Sequence, residues 1–67
     1  MELLTISEVS KILKINVNLV YKLIHHRHLQ CLKLGAMKVT AYELDRFIKW
    51  ANGKDFTDLE NVVDIAS

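Results

Sequence analysis

Residues 5–24 constrain the fold of this chain most strongly, because apolar side chains recur there at helical spacing in two short stretches. The apolar positions are Val9, Ile12 and Leu13 in the first stretch and Val20, Leu23 and Ile24 in the second. Ile15 lies between the stretches, where it would anchor a tight turn. The pattern predicts two helices joined at a corner. Such a corner presents the N-terminal half of its second helix outward, at a size that fits the major groove of DNA.

Helix starts are marked by a threonine that is followed three residues later by glutamate. This capping box pairs a hydroxyl and a carboxylate with backbone N–H groups of a helix's first turn. It occurs three times, at Thr5, Thr40 and Thr57. The boxes predict helices over residues 6–13, 41–51 and 58–65. Gly53 marks the expected end of the helix that begins at residue 41.

The second helix of the corner is predicted over residues 17–27 and has a different start. Asn16 is its expected N-cap, and Leu19 stands where a capping box would place glutamate. A carboxylate in this first turn would repel phosphate, whereas the helix end itself offers N–H groups and a positive dipole. The missing carboxylate is therefore compatible with a helix that faces DNA.

Residues 29–40 predict a short hairpin, or wing, between the second helix and the third. The leucines of the Leu-Lys-Leu run at 32–34 alternate with lysine, and a turn at Gly35 would let residues 38–40 pair back. The order of elements predicts a mainly α fold with a small β-hairpin. This is a winged helix-turn-helix arrangement, a single domain over residues 1–53.

A chain of 67 residues is near the lower limit for a self-sufficient core, so most of its apolar residues are needed inside. Their spacing predicts burial of Leu4, Val9, Ile12, Leu13, Ile15, Val20, Leu23, Ile24, Leu32, Leu34, Leu44, Phe47 and Ile48. So short a chain rarely encloses a catalytic pocket. We therefore expect a binding module and not an enzyme, with no cofactor and no small-molecule substrate.

The composition also indicates where such a module would work. The single cysteine, Cys31, cannot form an internal disulfide, which fits a reducing compartment. No apolar run approaches the ~20 residues of a membrane span. The first residues lack the basic start and long apolar stretch of a signal peptide. These features predict a cytoplasmic protein that does not contact membranes.

Charge is distributed unevenly along the chain. Residues 1–54 hold nine basic residues against four acidic ones, a net charge of +5, whereas residues 55–67 hold four acidic residues and no basic one. A basic body is compatible with a polyanionic ligand, although an ordinary solvated surface is the alternative.

Residues 54–67 are predicted to form an acidic C-terminal tail containing a short amphipathic helix. Its apolar stripe consists of Phe56, Leu59, Val62, Val63 and Ile65. A helix this short cannot stand alone. It would pack on its own domain, bind a partner or remain disordered, and its acidic face could also cover the basic helix.

The chain resembles the small excisionase/MerR-like DNA-binding domains over residues 3–50. The matching runs are Leu3–Val9 with its capping box, Val20–Ile24, Leu32–Gly35 and Glu43–Ile48. The resemblance implies a recombination directionality factor or a small transcription regulator, usually carried by mobile elements. It implies double-stranded DNA as the ligand, with an integrase or further copies of the chain on adjacent sites as protein partners.

Two departures from the family pattern concern glycine positions. Lys14 stands where the family usually has glycine in the helix-turn-helix corner, and the glycine that usually follows the second helix is replaced within His26-Arg27-His28. A left-handed backbone at Lys14 would cost roughly 1 kcal/mol.

The candidate DNA-binding residues lie on the outward stripe of the second helix and on the wing. They are Val17, Asn18, Tyr21, Lys22, His25, Arg27 and Lys38. Asn18 can bond an adenine edge, and Val17 can contact a thymine methyl group. Tyr21 and Lys22 would hold phosphates, and Arg27 or His28 would reach the DNA backbone beyond the helix end. Lys38 would reach the adjacent minor groove or its phosphates. The alternative is a solvated helix face with Tyr21 packed partly on the core.

Two other groups of residues allow a different function. His25, His26, His28 and Cys31 form the one cluster that resembles a metal site, but it crosses a helix end and lacks a second ligand pair, so no metal is predicted. Alternatively, Val17, Leu19, Tyr21 and Met37 could form an exposed apolar patch. The chain would then be a protein-interaction adaptor on the same fold, with little DNA binding.

Overall fold

The computed structural model describes residues 2–65, over which three helices and five short strands follow one another. They are β1 (Leu3–Thr5), α1 (Ile6–Leu13), α2 (Val17–His25), β2 (Leu32–Leu34), β3 (Ala36–Thr40), α3 (Ala41–Ala51), β4 (Lys54–Asp55) and β5 (Val63–Asp64). The winged helix-turn-helix fold predicted from the sequence is confirmed. The bounds of α1 and α3 coincide with the predicted ones.

The wing is part of a three-stranded antiparallel sheet with the order β1-β3-β2. Strands β2 and β3 turn at Gly35, whose φ of 71° suits glycine, and Leu34 pairs with Ala36 at the tip. Strand β1 was not predicted. Its central residue Leu4 pairs with Val39 of β3, so the wing is attached to the start of α1.

The helix starts are capped to different degrees. Thr5 forms the complete box, since its Oγ1 accepts from the Glu8 N–H at 3.1 Å and the Glu8 carboxylate accepts from the Thr5 N–H at 2.8 Å. At α3 only half of the box is present, because Thr40 accepts from the Glu43 N–H but the Glu43 carboxylate turns to Gln30 and Arg46.

Both helices of the corner end with a residue in the left-handed backbone conformation. Lys14 follows α1 with φ of 59°, at the position where the family usually has glycine, and Arg27 follows α2 with φ of 63°. After α2 the His28 N–H donates to the Leu23 carbonyl at 2.9 Å and the Arg27 N–H donates to the Ile24 carbonyl at 3.0 Å. This is the Schellman pattern, in which glycine usually occupies the left-handed position. It ends α2 at His25, two residues before the predicted end.

The core is formed by the facing sides of the helices and of the sheet. Its buried apolar side chains are Leu4, Ile6, Val9, Val20, Leu23, Leu29, Val39, Leu44 and Phe47. Ile6, Leu29 and Val39 were missed by the sequence analysis. Leu13, Ile15 and Ile24 are partly buried and pack against this cluster.

Four predicted core residues are exposed instead: Ile12, Leu32, Leu34 and Ile48. On the wing the reason is register. Leu32 pairs with Lys38, so the two side chains share a face of the sheet, and the neighbouring Val39 points to the opposite face and into the core. Leu34 lies on the same outer face as Leu32 and is 66% exposed.

The predicted helix over residues 58–65 is wrong. Strands β4 and β5 form a two-stranded hairpin instead, with Lys54 opposite Asp64. Asp55 accepts hydrogen bonds from both the N–H and the hydroxyl of Thr57, and the Asp58 carboxylate accepts from the Glu60 N–H. These side-chain turns compete with helix formation.

The C-terminal hairpin, residues 54–65, packs on the body through Phe56 and Leu59. The Ile65 N–H donates to the Gly53 carbonyl at 2.8 Å, which extends the pairing of β4 and β5 by one residue beyond Lys54 and Asp64. The division of the chain at residues 53 and 54 stays a prediction.

Candidate nucleic-acid interface

Helix α2 begins with a cap that leaves its N-terminal end uncharged. The Asn16 side-chain oxygen accepts from the Leu19 N–H at 2.7 Å, which confirms the predicted N-cap. The first turn holds no acidic residue, and Lys22 and His25 lie in the last turn. The positive end of the helix dipole is therefore not neutralised by a side chain, which favours an approaching anion.

Five of the predicted site residues share the solvent-facing side of α2. Val20 and Leu23 are buried on the opposite side. The five exposed residues are Val17, Asn18, Tyr21, Lys22 and His25. Val17 is 38% exposed and Tyr21 is 44% exposed, so both side chains keep substantial accessible surface. The structure thus brings these five side chains onto one stripe, and their contact with DNA stays a prediction.

Arg27 lies outside the helix, in the left-handed turn that ends it, and is exposed. The turn directs the chain away from the axis of α2, so Arg27 does not continue the helical stripe. His26, the C-cap, is half-buried, and its ring meets that of His25 edge-on at a centroid distance of 5.4 Å.

Lys38 is placed differently from the other candidates. It lies in β3, the central strand, paired with Leu32 on one side and with Thr5 on the other, and it is half-buried. Lys33 was not included among the site residues, yet it is exposed and pairs with Met37, one pair from the tip. Its signal was the Leu-Lys-Leu alternation, which indicated a strand but not a contact.

An ion pair on α3 fixes the segment that leads into the wing. The Arg46 guanidinium contacts the Glu43 carboxylate at 2.7 Å and also donates to the His28 carbonyl at 3.1 Å. The same carboxylate accepts from the Gln30 N–H at 2.9 Å. The Arg46 side chain, and secondarily the Gln30 N–H, lowers the pKa of Glu43. This network fastens residues 28–30, which lead into the wing, to α3.

His28 faces the C-terminal hairpin and not the exposed stripe of α2. Its ring stacks on Trp50 at 5.8 Å and meets Phe56 edge-on at 5.7 Å. Its Nε2 lies 2.6 Å from the Leu59 carbonyl oxygen. Within residues 2–65, no group of three or more His, Cys, Asp and Glu side chains is arranged to hold a metal ion.

In the part of the chain that the structure describes, no helix has the length and apolar character required to cross a bilayer.

Comparison with known proteins gave one family match. A family model described as "Helix-turn-helix domain" matches residues 3–49, well over half of the chain. Neither the curated proteins nor the solved structures gave a significant match. The family match supports a role in DNA binding, and this class of domain is generally non-enzymatic. The match, the corner formed by α1 and α2 and the adjoining wing show that the chain belongs to this helix-turn-helix family of small excisionase-like DNA-binding domains.

Proposed function

We propose that the chain is a sequence-specific DNA-binding protein of the excisionase-like type, acting as a recombination directionality factor or as a small transcription regulator. In this proposal α2 enters the major groove, and the wing over residues 29–40 contacts the backbone or the adjacent minor groove. The observation that carries the proposal is the exposed stripe on α2, which begins in a first helical turn without acidic residues.

The stripe combines groups suited to bases with groups suited to phosphates. Asn18 can bond the N6 and N7 positions of adenine, and Val17 can contact a thymine methyl group. Lys22 and the Tyr21 hydroxyl suit phosphate oxygens, as do His25 at the end of α2 and Arg27 in the turn after it. On the wing, Lys38 or the more exposed Lys33 would supply the cationic contact.

The number of cationic groups limits the affinity of a single copy. Three to five phosphate contacts correspond to a salt slope of about −3 to −4.5, which predicts weak binding at physiological salt. Useful affinity then requires further copies on adjacent sites or a protein partner such as an integrase. An integrase gene beside this reading frame would favour the recombination role over transcription regulation.

Fluorescence anisotropy with mixed-sequence duplexes at 50–200 mM salt tests the proposal. Asn18→Ala is expected to weaken binding to the preferred sequence by roughly 5- to 150-fold and to relax the preference at one base pair. Lys22→Ala is expected to weaken binding to all sequences alike and to reduce the magnitude of the salt slope by about 1. Lys49→Ala is the matched control, because Lys49 is an exposed lysine on α3, outside the proposed interface.

Absence of binding near 50 mM salt would overturn the proposal. Binding that is unchanged in both Asn18→Ala and Lys22→Ala would retain DNA binding but contradict the assignment of the site.

The alternative function, a protein-interaction adaptor, would have a smaller exposed apolar patch than the sequence predicted. Of its four apolar residues, Leu19 and Met37 are half-buried, and Leu19 lines an open cleft together with Leu13 and Leu23, away from Val17 and Tyr21. Val17 and Tyr21 alone do not form a large apolar patch. The same anisotropy series separates the two functions, since an adaptor would not bind duplexes at low salt.

A further inference from the structure

The loop of the C-terminal hairpin, residues 56–62 between β4 and β5, lies beside the second half of α2. The two elements enclose an open cleft of about 400 Å³, lined by Lys22, His26, Thr57, Asp58, Leu59 and Glu60. Two carboxylates of the hairpin therefore share one cleft with Lys22, a side chain assigned above to a DNA phosphate.

The loop is held in this place by contacts at its base and near its tip. His28 Nε2 lies 2.6 Å from the Leu59 carbonyl oxygen, and the Phe56 ring packs edge-on against Trp50 at 5.6 Å. Within the loop, the Asp58 carboxylate accepts from the Glu60 N–H at 3.0 Å. The acidic residues are thus fixed near α2 by the fold.

The carboxylates of the loop are not neutralised by a close partner. Over residues 2–65, neither Asp58 nor Glu60 forms an ion pair, and Lys22 forms none either. The one basic residue of the hairpin, Lys54, is paired with Asp64 at 2.9 Å. Both loop carboxylates are exposed, so their field reaches the surface on which Lys22 would meet a phosphate.

We propose that the acidic loop of the C-terminal hairpin restrains DNA binding, because Asp58 and Glu60 repel the phosphate that Lys22 would hold. Displacement of the loop, by loss of the contact between His28 and Leu59, then strengthens DNA binding. The inference rests on the proposed function, specifically on the contact between Lys22 and the DNA backbone.

Neutralisation of the two carboxylates tests the electrostatic step. In the full chain, Asp58→Asn keeps the side-chain oxygen that caps the Glu60 N–H, and Glu60→Gln keeps the side-chain shape. The double variant is expected to bind a mixed-sequence duplex about fivefold more tightly at 50 mM salt. The gain should fall below about twofold at 300 mM salt, where the field is screened.

The matched control removes two negative charges that do not line the cleft, with Glu2→Gln and Asp45→Asn. If the control tightens binding as much as Asp58→Asn with Glu60→Gln, the effect is one of net charge and the proposal is overturned. If the wild type binds and the double variant binds equally well, the proposal is likewise overturned while the proposed function stands. If neither binds at 50 mM salt, the proposed function fails.

His28→Phe tests the displacement step, because it keeps an aromatic ring on Trp50 but removes the nitrogen that contacts Leu59. The variant is expected to bind DNA more tightly than the wild type. In the His28→Phe background, neutralising Asp58 and Glu60 should give a smaller gain than in the wild type. Equal gains in both backgrounds would contradict the displacement step.

Discussion

The helix-turn-helix body, residues 3–51, and the C-terminal hairpin are stabilised in different ways. In the body, Val9, Val20, Leu29 and Val39 have no accessible surface, and three helices and a sheet meet over them. In the hairpin no side chain is fully buried, and Phe56 and Leu59 are half-buried against the body. The body has a core of its own, whereas the hairpin depends on the body for the apolar surface it covers.

The difference shows what a capping signal requires. Both regions contain Thr-x-x-Glu, and at Thr5 it starts a helix that can bury Ile6 and Val9. At Thr57 the following residues cannot form a long enough buried face, and Asp55 instead takes up the threonine hydroxyl. A cap contributes about 1 kcal/mol, which decides a helix only where packing already favours one.

The largest effect is expected from removing one large apolar side chain from each region. Leu29→Ala is expected to lower the free energy of unfolding by about 3 kcal/mol, because the site is fully buried. Phe56→Ala removes a half-buried ring and should cost about 1–2 kcal/mol, with the helices intact. Urea denaturation followed by far-UV circular dichroism measures both. A Phe56→Ala variant as destabilised as Leu29→Ala would show that the hairpin is part of the core.

A smaller effect is expected from the two threonines. Thr5→Ala breaks a complete capping box and should lower the free energy of unfolding by about 1 kcal/mol. Thr57→Ala removes a bond between two exposed side chains and should change it by less than about 0.5 kcal/mol. Thermal unfolding of the two variants beside the wild type provides the comparison. Equal losses would mean that the two motifs are structurally equivalent.

The smallest expected effect is the loss of folding stability at acidic pH. Hydrogen bonds lower the pKa of Glu43 below its ordinary 4.5, chiefly from Arg46, and the pKa of Asp55 below its ordinary 3.8, chiefly from Thr57. Each carboxylate therefore contributes stability above its ordinary pKa, and that contribution is lost as the pH falls through the lowered value. Chemical denaturation between pH 7 and pH 3 measures the loss.

Glu43→Gln should flatten the acid limb of the stability curve more than Asp55→Asn does. The reason is that the Glu43 side chain is only 13% exposed, whereas Asp55 lies in solvent, where its interactions are screened. A larger change in Asp55→Asn would contradict this ranking.

Sequence patterns predicted the body well where local rules act. Threonine caps and helical spacing gave the bounds of α1 and α3, and Gly35 gave the turn of the wing. The stripe on α2 also follows from spacing once the buried face is known. The predicted burial of Leu32 and Leu34 was wrong because the alternation shows that the two side chains share a face but not which face of the sheet is buried. Only the pairing of β3 with β1 decides that.

The missed features depend on contacts between residues far apart in sequence. Leu29 belongs to no helix or strand, yet it is fully buried, so no periodicity could identify it. The hairpin loop lies near Lys22 because His28 contacts the Leu59 carbonyl and Trp50 packs against Phe56. No local sequence pattern encodes these contacts.

Trp50 gives the molecule an optical property that follows from its position. It is the single tryptophan of the chain, and it lies where the two regions meet, with Phe56 at 5.6 Å and the Lys54 ammonium 5.6 Å above its ring. The Trp50 side chain is already 40% exposed, and undocking of the hairpin would remove these neighbours and expose more of the indole to water. Intrinsic fluorescence emission should therefore report undocking separately from helix melting, without an added label.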